Sequence, residues 1–188
     1  MEFKDINVRR VMIFLLVFLS ILFLANYVYR IYYIEKPLKE FYENSSIVKD
    51  YEIINKNSIK EINLTLKQVD NLKDAYDSLL VGTEKVLNNK KFVIKLENDK
   101  NADEKLNEFY YKIQFVVYEA IQKGDFLKMS QYIMAESQRS NVNSKLYIDE
   151  KNLYIQLNNE DKYLYKIVSR TDTPYWAANI TERGNKND

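Results

Sequence analysis

The chain contains no cysteine and no histidine, and only three glycines and two prolines in 188 residues. Without cysteine there is no disulfide, no thiolate nucleophile, no lipid attached through a lipobox, and no Cys-ligated zinc or iron–sulfur cluster. Without histidine there is no Ser-His-Asp triad, no imidazole metal ligand and no ordinary neutral-pH proton shuttle. Charge of one sign is also missing: 28 Lys and Arg stand against 27 Asp and Glu, a net of +1. The electrostatic footprint of a nucleic-acid-binding protein is therefore lacking. Gly82, Gly124 and Gly184 lie too far apart to build a phosphate-cradling loop.

What is present is skewed. Lys outnumbers Arg 22 to 6, Asn occurs 20 times and Tyr 16 times. This is the signature of AT-rich codons, so a single Asn or Lys carries little meaning. The three Asn-x-Ser/Thr matches at Asn44, Asn63 and Asn179 accordingly read as chance, not as glycosylation sites. Scarce Gly and Pro predict long helices and tight turns built on Asn.

One long apolar run stands out. Between Arg10 and Arg30 lie nineteen uncharged residues, VMIFLLVFLSILFLANYVY. A helix of that length spans about 28 Å, close to the ~30 Å hydrocarbon core of a bilayer. A core helix of a soluble protein rarely lacks a polar face over five turns. Tyr27, Tyr29, Tyr32 and Tyr33 sit where an interfacial aromatic belt belongs. A cleaved signal peptide is the rival reading, but its apolar region is normally shorter, and no small-x-small cleavage site follows this one. Residues 11–30 are therefore expected to form a single transmembrane helix in contact with membrane lipid. Arg9 and Arg10 abut it directly and resist translocation, which favours a cytoplasmic tail at 1–10 and everything from about 31 onward outside the cytoplasm.

Beyond the span, Pro37 is expected to interrupt the helix, and residues 31–57 to serve as a juxtamembrane linker. Residues 58–182 are expected to form an extracytoplasmic α+β domain, and 183–188 a disordered tail. Ser58 and Glu61 match a capping box. Ile62, Leu66, Val69, Leu72, Tyr76 and Leu79 then recur at three- and four-residue steps, which predicts a long helix over 59–88. The competing reading of EINLTL, residues 61–66, is a strand with Ile62, Leu64 and Leu66 alternating. A short strand is expected at FVIKL, 92–96. A helix capped by Asn101 or Asp103 should follow, with Leu106, Phe109, Tyr110, Ile113, Val117, Ala120 and Ile121 on one stripe. Gly124 should end it, and Asp125 should cap a second helix, closing by Ser140, with Phe126, Met129, Tyr132 and Ile133 inward.

The last third changes period. Segments 145–148, 153–157 and 163–168 are rich in β-branched and aromatic residues and are divided by turn-forming Asp and Asn. They predict an antiparallel β-meander, with a fourth strand at 175–181. Leu146, Ile148, Leu153, Ile155, Leu157, Leu164 and Val168 would face the helices. Tyr154, Tyr163 and Tyr165 would occupy the other, partly wet face. The fold expected is α+β: an N-terminal single transmembrane helix, then amphipathic helices packed on a C-terminal antiparallel meander. Gly124-Asp125 between two helices, followed by a meander ending near Trp176, is loosely similar over about 80 residues to the cone-shaped nuclear-transport-factor-2-like domains. Some membrane-anchored subunits of transfer machines carry such domains. Many unrelated α+β domains share the pattern, and no membership is assigned.

Catalytic constellations are sparse. Glu104/Glu108, Asp70/Asp74 and Asp99/Asp103 are carboxylate pairs four apart, but Lys67, Lys73, Lys100 and Lys105 offset them, as on a solvated face. Ser46-Ile47-Val48-Lys49 matches Ser-x-x-Lys, yet neither the Ser-Asp-Asn nor the Lys-Thr-Gly partner motif occurs. No catalytic, cofactor-binding or metal-ligating residue is assigned. Tyrosine is enriched at protein interfaces, and the meander tyrosines are the candidates for such a surface. A coiled-coil seam through Ile62, Leu66, Val69, Tyr76 and Leu80 is a second candidate, interrupted by Lys73.

The function expected is that of a non-enzymatic, membrane-anchored protein-interaction module, a subunit or scaffold of a bacterial cell-envelope assembly. Its partners would be other envelope proteins, with homo-oligomerisation as an option and no nucleic acid. The alternative is an extracytoplasmic ligand-binding or sensory domain that signals through a partner. An enzyme working through carboxylates, Lys or Tyr is the least favoured class.

Overall fold

The computed structural model describes residues 8–56, 59–88, 90–97 and 101–171. The chain divides into two compact units, Met1–Asn44 and Ser45–Asp188. The fold is α+β: a long apolar N-terminal helix, further helices, and two three-stranded sheets.

In the first unit, helix α1 (Val8–Arg30) leads without a break through a π-helical turn (Ile31–Glu35) into α2 (Lys36–Glu43). The expected interruption at Pro37 does not occur. Proline cannot donate the usual backbone bond, and the wider turn places the Lys36 N–H on the Ile31 carbonyl, five residues back. Pro37 then falls at the start of α2, where a missing donor costs little. Ser20 is satisfied within the apolar run, its hydroxyl donating to the Leu16 carbonyl at 2.8 Å. The residues expected to form a linker are thus helical to Glu43, and the strand β1 (Val48–Lys56) occupies most of the remainder.

The second unit begins with that strand. β1 pairs antiparallel with β2 (Ile59–Leu66), and β2 pairs in parallel with β3 (Phe92–Leu96). Helix α3 (Leu72–Leu87) makes the crossover between the two parallel strands. The long helix expected over 59–88 is therefore a strand, a loop and a shorter helix, and the alternating reading of EINLTL is the one that holds. The physical reason lies in both flanks of β2. Ile62 and Leu64 are fully buried beside Phe92 and Ile94. Glu61 is drawn to Lys95 on β3 at 2.9 Å and to Lys56 at 3.2 Å, so it serves the sheet and not a capping box. A seam running through Ile62, Leu66, Val69, Tyr76 and Leu80 is lost, because these residues now lie on different elements.

Helix α4 (Glu104–Lys123) starts where Asp103 accepts the Leu106 N–H at 2.8 Å, and ends at Gly124 with φ of 76°. Helix α5 (Phe126–Ser140) follows and ends at Asn141, also left-handed. Asn88 terminates α3 in the same way, so two of these three helix ends use Asn where Gly is the common choice. The meander β4 (Asn143–Ile148), β5 (Asn152–Asn159) and β6 (Lys162–Ser169) closes the described chain. The expected fourth strand at 175–181, the tail at 183–188 and Trp176 lie outside the described residues.

Leu153, Ile155, Leu157 and Leu164 pack against Leu106, Phe109, Ile113, Val117, Met129 and Ile133 of the two helices, as the alternation requires. Tyr132 departs from the expected inner face and is exposed. The opposite sheet face is the larger correction. Tyr154, Tyr163 and Tyr165 are buried, not partly wet. Tyr154 lies 6.1 Å from the Tyr76 ring on α3. The other two grip the backbone that leads into that helix. Tyr163 donates its hydroxyl to the Leu66 carbonyl at 2.9 Å, and Tyr165 accepts the Val69 N–H at 2.8 Å. Between them Gln156, fully buried, donates to the Val69 carbonyl at 2.7 Å and accepts the Leu72 N–H at 3.0 Å.

Replacing Gln156 by Leu leaves a buried carbonyl and a buried N–H without these partners, and should cost about 2–4 kcal/mol of unfolding free energy, read from urea denaturation. Burial is the main cause that pushes the Tyr165 hydroxyl up, to about 12. Its neutral form is thus favoured by folding. That contribution is complete below the ordinary tyrosine value of ~10 and is lost as pH rises through the folded value. Denaturation curves between pH 9 and about 12 should show this loss, and the Tyr165→Phe variant should show less of it.

Candidate interaction surface

Two features of the chain present apolar surface outward. The first is α1. Its 23 residues rise roughly 34 Å, enough to cross a bilayer core. None of its most apolar stretch is buried. Phe14, Leu15, Leu16, Phe18, Phe23 and Leu24 all face outward, as no soluble surface helix arranges them. This helix is long and apolar enough to span a membrane; a signal sequence at the same place meets the same test. Tyr29 and Tyr33 stack at its end, 5.1 Å between ring centroids.

The second is the outer side of α4 and α5. Eight large hydrophobic side chains of the second unit are exposed among the described residues, and six belong to these two helices: Tyr111, Phe115, Tyr118, Leu127, Tyr132 and Met134. Tyr111, Phe115 and Tyr118 are spaced four and three apart, so they form one ridge. They are 67%, 65% and 54% exposed. Residues 113, 117 and 120 point the other way, into the core. Leu127 and Met134 make the corresponding ridge on α5, opposite Met129 and Ile133. Tyr111 meets Phe115 edge to face at 5.9 Å. Single exposed hydrophobics are ordinary, whereas these gather on one layer of the unit. The sequence showed the inner stripe of each helix. It did not single out this ridge, although the aromatics at 111, 115 and 118 were a readable signal of the same period.

The meander tyrosines, proposed from the sequence as a partner surface, are overturned in that role by their burial under α3 and the 66–72 segment. The carboxylate pairs behave as a solvated face. Glu104, Glu108, Asp70 and Asp74 are exposed. Asp103 caps α4, and Asp99 lies outside the described residues. No group of three or more metal-ligating side chains occurs among the described residues. Lys49 of the Ser-x-x-Lys match donates to Asn101 at 2.8 Å. Asn63, one of the three sequon matches, is buried on β2.

Charged groups that do shift are structural. Burial raises the Asp103 carboxyl, but the Leu106 N–H and the Asn159 amide outweigh it, and the group ends below the usual aspartate range. Asp149 follows the same logic: burial opposes ionisation, while the Tyr154 hydroxyl and the Asn152 and Lys151 N–H groups favour it. Tyr154 is pushed up in turn, first by burial and then by Asp149. Lys112 on α4 holds Glu136 of α5 below the carboxylate range and ties the two helices together. A groove at the α4–α5 junction, lined by Ala120, Met129, Lys123 and Asp125, has a volume of about 160 Å³. It is smaller than the roughly 300–1,000 Å³ of organic-ligand sites, whereas an open recess beside Met134, Ser137, Val142 and Ser144 has about 360 Å³. No protein-family model, curated protein or solved structure matches the chain.

Removing the cap with Asp103→Ala should lower stability by about 1–2 kcal/mol, seen as a lower melting temperature. Because the folded-state value of Asp103 is depressed, its contribution is present above about pH 4 and is lost as the pH falls further. An acid titration of melting temperature should therefore be less steep in the variant than in the parent.

Proposed function

We propose that this is a single-pass membrane protein without enzymatic activity, whose second unit binds other proteins outside the cytoplasm as a subunit or scaffold of a bacterial cell-envelope assembly. The observation that carries the reading is the pairing of a wholly exposed apolar helix with a second unit whose exposed apolar side chains gather on α4 and α5. Lipid at residues 11–30 supplies the solvent that α1 needs. Confinement to a membrane raises the effective concentration of partners on the same surface, so a modest patch is sufficient to bind. Arg9 and Arg10 directly beside the span favour a tail inside and a second unit outside. The meander packs on one face against α4 and α5 and on the other against α3.

Two measurements test this. The chain should stay with membranes through alkaline carbonate washing and enter solution only with detergent. A mature polypeptide recovered in an aqueous fraction and starting after position 29 would defeat the anchor. A photoreactive residue at Leu127 or Met134, in intact cells at native expression, should give discrete adducts with other envelope proteins. The same residue at Glu160, in the β5–β6 turn, should give none. Equal labelling from both places, or none from either, would defeat the interaction role.

A further inference from the structure

The aromatic ridge on α4 is bordered by a line of charges whose order has a symmetry of its own. Glu108, Lys112, Glu119 and Lys123 lie on one flank of the ridge. Taken about a midpoint between residues 115 and 116, Glu108 exchanges with Lys123 and Lys112 exchanges with Glu119. The ridge Tyr111, Phe115 and Tyr118 has its own centre within about one residue of that point. We propose that this face of α4 binds α4 of a second copy of the chain, the two helices antiparallel across a two-fold axis near Phe115.

Symmetry is the argument for a second copy over an unrelated partner. A two-fold interface presents the same patch twice, so the patch must complement itself. In an antiparallel pair the like flanks of two helices face each other, and every acid on this one then meets a lysine. In a parallel two-fold pair the charged flanks would fall on opposite sides, and these acids and lysines would not face one another. The aromatic rings would meet at the centre, where they are most fully withdrawn from water. Three of the four charges have partners in the single chain: Lys112 reaches Glu136, and Lys123 reaches Glu119 one turn back. Their side chains remain about half or more exposed, 55% for Lys112, 55% for Glu119 and 62% for Lys123, and so can face a second partner. The proposal rests on the reading of this surface as an interaction face. It leaves Leu127 and Met134 on α5 available to other proteins.

The absence of cysteine makes the test free of background. The full chain, in its own membranes, would carry single cysteines and be treated with a short bis-maleimide. Gln114→Cys, beside the axis, should give a homodimer. Glu108→Cys alone should not, since its two copies would stand about 22 Å apart along the helix axes. Joining Glu108→Cys with Lys123→Cys in one chain should restore the dimer. On the Gln114→Cys background, Glu108→Lys should cut the yield at least threefold, and adding Lys123→Glu should bring it back. These exchanges sit on the solvent side and leave the core alone. Efficient dimerisation through Glu108→Cys alone would contradict that separation and overturn the proposal. Adducts from Gln114→Cys with a different protein would overturn it while leaving the interaction role intact. No adduct at Gln114→Cys would also overturn it, and the interaction role would then stand or fall on labelling from Leu127 and Met134.

Discussion

The second unit depends on a small set of buried polar contacts that hold the segment 66–72 against the meander. Tyr163, Tyr165 and Gln156 together engage the carbonyls of Leu66 and Val69 and the N–H groups of Val69 and Leu72. These backbone groups lie at the end of β2, in the connecting loop and at the first residue of α3, where ladder and helix bonds run out. Burying them unpaired would cost far more than the hydrogen bonds return in water. The two sheets share no ladder. Their link is this clamp together with the packing of α3 on β5. A polar residue in the middle of an apolar strand thus does what another Leu could not: it fixes one register between two halves of the molecule.

The same principle, that every buried backbone group must find a partner, shapes the first unit. A proline after an apolar helix invites a break. Here the backbone adopts one π-helical turn, reassigns its donors by one residue and carries on. A helix that passes from a lipid-like stretch to a charged one without losing its hydrogen bonds exposes no unsatisfied backbone where the solvent would change.

Much of this was legible beforehand. The apolar run, FVIKL at 92–96, the α4 stripe, the Gly124 stop and the three meander strands all follow from patterns of two or 3.6 residues that a single element sustains. What escaped notice depended on partners distant in sequence. Ile62, Leu66 and Val69 fit a helical period as well as Ile62, Leu64 and Leu66 fit an alternating one, and pairing with β1 and with β3, some thirty residues on, decides between them. The burial of Tyr154, Tyr163 and Tyr165 was hidden because the cover, α3 and its approach, comes about ninety residues earlier in the chain. The partners of Gln156, Val69 and Leu72, are equally distant in sequence. The exposed ridge at Tyr111, Phe115 and Tyr118 had a signal of its own, but attention to the inner stripe obscured it.

The clamp also imposes an order on events during synthesis. β1, β2, α3 and β3 emerge from the ribosome long before Gln156, Tyr163 and Tyr165 exist, yet the backbone at 66–72 is finished only by those late side chains. Contacts spanning some ninety residues close slowly. In the interval the 66–72 backbone and the α3 face that meets Tyr154 stay open to whatever is near. A nascent chain of this design has reason to be shielded by a chaperone until its last strands arrive, and a truncation within β5 or β6 would reach back and loosen the very first hairpin.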